Sequence, residues 1–259
     1  MQPSKGTEGR WRVVCVPEAH PAAIELARQQ ALAGELTSES ARPALMLWRC
    51  QPALLVTRQE TRLPHFREVS DQMFAANWPI LARKSGGRAC PIGLGTVQVS
   101  MIETAISGAT MNAKYDAITK LIQSTLCFFG IVSPTESVTG AYCAGSYDLA
   151  VNGKKIAGMS QHWFRNQRGV HCIVTAASIN IEEAPDVLAS AINRFYCNVG
   201  SSARCQSTAL TNMRLCDGNA HLVVRNLASA VMTQLAASAD VRGGTTRKRN
   251  SARAALSTS

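Results

Sequence analysis

The sequence predicts an α+β fold in which a mixed central β-sheet is flanked by helices. Strand-like and helix-like segments intermix without the regular strand-helix-strand alternation of a doubly wound sheet. Two long segments, 21–36 and 112–130, carry the apolar spacing of amphipathic helices. Between two strand-like runs, Asn152-Gly153 supplies the positive φ angles of a type I′ hairpin turn. The 259 residues, 46% hydrophobic, suffice for a large core, and no internal repeat is present.

In chain order, WRVVCVP (11–17) reads as a strand and PAAIELARQQALAGEL (21–36) as a helix. ALMLWRC (44–50) and PALLVTRQ (52–59) are separated so tightly that they are expected to lie side by side in one sheet. PILAR (79–83) and GTVQVSMIE (95–103) are strands on either side of the glycine-rich SGGRACPIGLG. NAKYDAITKLIQSTLCFFG (112–130) is a helix closed by Gly130. After the hairpin of YDLAV and KKIAGMSQHW, GVHCIVTAASINI (169–181) reads as a strand. Pro185 and Asp186 then start a helix, and a last helix covers 219–238. The expected organisation is a disordered 1–10, a single domain over 11–238, and a basic disordered tail over 239–259.

Net charge is +10, but Arg242, Arg247, Lys248, Arg249 and Arg253 lie in the acid-free stretch 241–259, so half of the excess sits there. The tail fits a solubilising arm, attraction to an acidic protein, or nonspecific contact with nucleic acid. No aromatic-basic platform supports specific nucleic-acid binding. No apolar run reaches the roughly 20 residues of a membrane span, so a soluble, cytoplasmic protein is expected. Nine cysteines without a C-x-x-C pair predict reduced thiols and no metal site. Most, such as Cys127 in LIQSTLCFFGIV, read as small buried hydrophobes. His20, His65 and His162 lack a partner pattern and receive no acid-base role, while His171 in GVHCIV reads as a hydrogen-bonded strand histidine, with orientation of a ligand as the competing reading.

Two stretches carry chemistry. In 83-RKSGGRACPIGLGTVQVS-100, glycines allow close backbone approach while Arg83, Lys84 and Arg88 offer charge to a phosphate or carbonyl oxygen; a plain β-turn is the competing reading. The spacing is neither a P-loop nor a dinucleotide fingerprint. In 140-GAYCAGSYDLAVNGKKIAGMSQ-161, Cys143 is either a nucleophile working with Lys154 or Lys155, or one more buried thiol. An unbroken ladder from the Asn152-Gly153 turn sets Val151 opposite Lys154, Ala150 opposite Lys155 and Cys143 opposite His162. That holds Cys143 roughly 23 Å from Lys155 at about 3.3 Å per residue. They share a site only if Gly140 to Gly145 leaves the sheet and folds back.

Together the stretches resemble the lipoate/octanoate protein ligase and transferase family, over most of residues 11–235. Its Arg-x-Ser-Gly-Gly-x-Ala loop ending in a later Ser matches Arg83, Ser85, Gly86, Gly87, Ala89 and Ser100. Its Asp-Leu-x-Val strand and Gly-[Arg/Lys]-Lys-[Ile/Val]-x-Gly segment match Asp148, Leu149, Val151, Gly153, Lys154, Lys155, Ile156 and Gly158. The resemblance implies the α+β catalytic domain shared with biotin protein ligases, and gives Lys155 the role of hydrogen-bonding an acyl carbonyl. It assigns substrate binding to Arg83, Ser85, Gly86, Gly87, Arg88, Ala89, Ser100, Asp148, Gly158 and Ser160, with Asp148 fixing the loop that bears Cys143.

Departures narrow the resemblance. ATP-using ligases of the family have a third glycine where this chain has Arg88, His-Asp where it has Ile92-Gly93, and Asn-x-Asn where it has Thr96-Val97-Gln98. GAYCAGSYDL instead resembles the Gly-x-x-Cys-x-Gly-x-x-Asp-Leu arrangement of the cysteine-dependent octanoyl amidotransferase branch. That implies catalysis by Cys143 and Lys155 through an acyl-cysteine thioester, without a cofactor. The implied donor is acyl carrier protein or the glycine-cleavage H protein. The implied acceptor is a lipoyl domain of a 2-oxoacid dehydrogenase, or the H protein. The expected acyl slot is lined by apolar residues of the hairpin and of the 85–100 loop. An ATP- and Mg-dependent lipoate ligase and a non-enzymatic nucleic-acid binder are the alternatives.

Overall fold

The structure is a computed structural model describing residues 11–216 and 228–238. Its elements are β1 (Arg12–His20), α1 (Ala22–Gly34), β2 (Ala44–Cys50), β3 (Ala53–Thr57), α2 (Phe66–Ala75), β4 (Ile80–Arg83), β5 (Cys90–Ile92), β6 (Thr96–Thr104), α3 (Met111–Phe128), β7 (Leu149–Val151), β8 (Lys154–Arg165), β9 (His171–Asn180) and α4 (Pro185–Asn198). A single 3-10 turn at Glu60–Arg62 follows β3, and residues 228–238 are helical. The expected tails and the first part of the expected last helix lie outside the described residues.

The central sheet has six strands in the order β1-β2-β6-β9-β8-β7. It is mixed, as expected: β1 and β2 are parallel and the other pairs antiparallel. The β2 run ALMLWRC is apolar apart from Arg49 because helices cover both faces, and the two-residue strand period divides its side chains between them. Leu45 and Leu47 pack with α3 and helix 228–238, while Met46 and Trp48 pack with α1.

A second, three-stranded sheet, β4-β3-β5, was not foreseen. β2 and β3 do not pair, contrary to the expectation from their closeness. β2 is already flanked by β1 and β6, so the chain turns away at Gln51 and Pro52 and starts a new sheet packed on α2 and α4. The sequence reading also passed over α2 and β5. α2 buries only Val69 and Met73, four residues apart, and leaves Phe74 71% exposed, which blurs its periodicity. Cys127 is a further correction, since it is exposed. The buried face of α3 runs through Ile118, Leu121, Ile122, Thr125 and Leu126, and Cys127 falls off that stripe. Cys15, Cys50, Cys90, Cys127, Cys143, Cys172, Cys197 and Cys205 are free thiols.

The sheets meet at Gly95, ahead of β6. A Cβ there would lie 2.4 Å from the Glu183 main-chain nitrogen, and the Gly95 carbonyl accepts from Ile181 and Glu182. Gly95→Ala is expected to cost about 1–3 kcal/mol by overpacking against backbone. Each kcal/mol lowers the melting temperature by roughly 2–4 °C in a domain of this size, which calorimetry will read.

Candidate active site

The hairpin forms as its turn chemistry dictates. Asn152 and Gly153 have φ of 51° and 69°, and Val151 faces Lys154 while Ala150 faces Lys155. The register then shifts, with Leu149 opposite Ala157, and β7 ends. The ladder therefore never reaches Cys143. Gly140, at φ 84°, lets the chain turn back over the sheet, and the Asp148 carboxylate closes the loop by accepting the Gly145 N–H at 3.0 Å. Lys154 is exposed and Lys155 is 2% exposed, so the strand period sends only one lysine inward.

Lys155 binds the folded-back loop from beneath. Its ammonium donates to the Tyr142 carbonyl at 2.9 Å and the Cys143 carbonyl at 3.2 Å, and pairs with Asp148 Oδ2 at 2.7 Å. It also lies 4.6 Å from the Tyr142 ring centroid. Gly158 leaves room for this lysine, because a Cβ there would sit 2.9 Å from Nζ. Burial pushes the Asp148 carboxyl above the usual carboxylate range, against the opposing pull of Lys155 and two main-chain amides.

The Arg83 to Ala89 loop closes over Cys143 from the other side. The Arg88 N–H donates to Cys143 Sγ at 3.0 Å, and Arg83 Nη2 lies 3.8 Å from the same sulfur. Arg83 also donates to Ser85 Oγ at 3.1 Å and to the Arg88 carbonyl at 2.6 Å, so it braces the loop it belongs to. Gly87 has φ 101°, and a Cβ on it would lie 2.7 Å from the sulfur. Gly86 is on the outer side of the turn, Ala89 is buried beneath it, and the Arg88 side chain is exposed. Cys143 has φ 45°, a left-handed conformation that strains a residue with a Cβ.

The cysteine opens onto a cavity of about 330 Å³ lined also by Arg83, Ser85, Ser100, Lys155, Gly158 and Ser160. Of the predicted substrate-binding residues, Gly86, Gly87, Arg88, Ala89 and Asp148 lie outside its wall. Its apolar surface comes instead from Leu26 of α1 and from Trp48, Leu55, Phe164 and Val174 of the sheets. These were missed, since no motif marks them; of the expected lining, the hairpin supplies Gly158, Met159 and Ser160, and the 85–100 loop supplies Ser85, Cys90, Gln98 and Ser100. A partial signal existed in β8, where the period of two carries Gly158, Ser160, His162 and Phe164 to one face.

His162, with no role assigned from sequence, lines the cavity and stacks on Phe164 at 4.7 Å. Burial, followed by the charges of Lys84 and Arg58, lowers its pKa, so a neutral ring faces the slot at neutral pH. Ser100 Oγ donates to Gln29 Oε1 at 2.7 Å. Cys90 also lines the wall, but burial pushes its thiol up to about 11, which keeps it protonated. Among the described residues, no group of three or more His, Cys, Asp or Glu is placed to hold a metal.

Residues 21–225 match the lipoyl protein ligase A/B catalytic domain family. The chain belongs to this family. It is 29% identical to the octanoyl-[GcvH]:protein N-octanoyltransferase of Kyrpidia tusciae, over 84% of this chain and 77% of that protein. With the Anoxybacillus flavithermus protein of the same name it shares 30% identity, over 67% of this chain and 64% of the relative. In fold it is similar to a T. acidophilum lipoate protein ligase with bound lipoic acid. That match has a TM-score of 0.64 at 14% identity, over 88% of this chain and 86% of the other. A lipoate-protein ligase A bound with ATP superposes with a TM-score of 0.60 at 13% identity, over 88% and 85% of the two chains.

Proposed function

We propose that this protein moves an octanoyl group from a carrier protein to a lysine of an acceptor lipoyl domain, through a thioester on Cys143. One observation carries the reading: Cys143, its sulfur in contact with a main-chain donor at 3.0 Å, lines a largely apolar cavity of about 330 Å³. Such a volume is in the range of small-ligand sites, and each buried methylene stabilises the bound chain by about 0.8 kcal/mol. The relatives' name, with its octanoylated GcvH, supports an octanoyl cargo and the H protein as donor.

The sulfur attacks the acyl carbon, a C–S bond forms, and the C–N bond to the donor lysine breaks as the leaving amine takes up the thiol proton. The acceptor lysine then attacks the thioester, the C–S bond breaks, and a proton from the amine returns to sulfur. Amide is exchanged for amide, so no ATP is consumed. Lys155 turns a proton from its longest present bond, 3.2 Å to the Cys143 carbonyl, toward the acyl oxygen. Arg83, beside the sulfur, adds a second fixed cation.

The test mixes the protein with octanoylated GcvH and an unmodified lipoyl domain, with and without ATP, and follows intact masses. Octanoyl is expected first on this protein and then on the acceptor, without ATP. Modification of the acceptor only when free octanoate and ATP are both supplied would identify a ligase instead.

A further inference from the structure

Glu60 is 8% exposed, and four donors converge on its carboxylate. Oε2 accepts from the Thr57 N–H at 2.8 Å and the Thr57 hydroxyl at 3.0 Å. Oε1 accepts from the Tyr196 hydroxyl at 2.6 Å and the Ala89 N–H at 2.8 Å. Charge-assisted bonds of this kind are the strong ones, and they offset the cost of burying a carboxylate. Burial, then the bond to Glu60, pushes the Tyr196 phenol up, which keeps its hydroxyl a donor.

The arrangement bears on the reaction because Ala89 is joined to Arg88. The peptide unit between them is held at both ends: its N–H by Glu60, and its carbonyl by Arg83 Nη2 at 2.6 Å. The preceding N–H, that of Arg88, is thereby left aimed at Cys143 Sγ at 3.0 Å. When the sulfur bonds to an acyl carbon, the carbonyl oxygen lies two bonds from that sulfur. A rigid donor already within hydrogen-bond reach of the sulfur is then within reach of the oxygen on which charge develops. Lys155, by contrast, must first release a proton from the Cys143 carbonyl to serve that oxygen, since its others are held by Tyr142 and Asp148.

We propose that the Arg88 main-chain N–H is an oxyanion donor for the acyl-transfer step, and that Glu60 and Tyr196 are positioning residues that hold it in place. This rests on the transferase reading above. In the step, the sulfur lone pair forms the C–S bond and the carbonyl π pair moves to oxygen, to which the Arg88 N–H donates a hydrogen bond. The pair returns as the bond to the leaving group breaks.

The test compares two reactions of the same sulfur in full-length protein: acylation by p-nitrophenyl octanoate, which passes through an oxyanion, and alkylation by iodoacetamide, which does not. Modification of the Cys143 peptide is followed by mass spectrometry in wild type, Glu60→Gln and Tyr196→Phe. Acylation is expected to slow roughly tenfold or more in both variants, with alkylation within about twofold of wild type. Equal slowing of both reactions, or of neither, overturns the proposal. Tyr196→Phe removes a single hydroxyl, so it decides the question should Glu60→Gln fail to fold. A wild-type protein that is never acylated at Cys143 would refute the transferase reading itself, a separate result.

Discussion

Cys143→Ser is expected to abolish formation of the acyl-enzyme and to lower octanoyl transfer by at least about a thousandfold. A serine hydroxyl is far less acidic than a thiol, and among the described residues no carboxylate or imidazole is hydrogen-bonded to Sγ to activate it. The groups around Sγ are donors, the Arg88 N–H and the Arg83 guanidinium. Donors stabilise negative charge on a nucleophile and cannot take a proton from a neutral alcohol. Folding should be nearly unaffected, because Cys143 is only partly buried and serine fits the same backbone. Intact mass after mixing with octanoyl donor checks the acyl-enzyme, and transfer to a lipoyl domain checks the turnover. Normal transfer by the serine variant would remove the thioester from the mechanism and leave the ligase route.

The parts of the molecule fixed by local chemistry were legible in the sequence. The Asn152-Gly153 turn demands positive φ at both positions, and its first two cross-strand pairs form as the turn dictates. The β2 run coincides with its apolar segment because burial on both faces leaves Arg49 as its one polar residue. What failed depended on contacts between distant segments. β2 and β3 parted into different sheets, since the neighbours of β2 come from residues far along the chain. The contact of Lys155 with the Cys143 carbonyl needed a register shift near Leu149 that no turn rule announces. Glu60 and Tyr196, 136 residues apart, meet under the Ala89 amide without any motif to link them. The same limit explains the cavity wall. Motif residues supply part of its polar lining, while its apolar lining uses core positions indistinguishable in sequence from other core positions.

Replacing Lys155 with methionine separates its two tasks. The lysine forms a buried ion pair with Asp148 at 2.7 Å, both side chains being nearly inaccessible. Breaking a buried pair typically costs about 3–5 kcal/mol, because the remaining charge is stranded. Here the low end is expected, since Asp148 keeps the Gly145 N–H at 3.0 Å. The deficit should depend on pH in a definite sense. Burial already raises the Asp148 carboxyl, and losing the cation raises it further. Between the unfolded value, about 3.9, and that raised value, the folded state binds more protons than the unfolded one. Stability of Lys155→Met therefore falls as pH rises through this window, and acidification partly restores it. Adding Asp148→Asn removes the stranded charge, so the double variant should regain most of the lost stability and lose the pH dependence. Urea unfolding at several pH values reads both effects. Transfer should stay depressed by roughly a hundredfold in the double variant, because an asparagine-methionine pair restores neutrality but offers the acyl oxygen no cation. Recovery of activity together with stability would make Lys155 a loop fastener alone, and would leave the Arg88 amide and Arg83 to carry the developing charge.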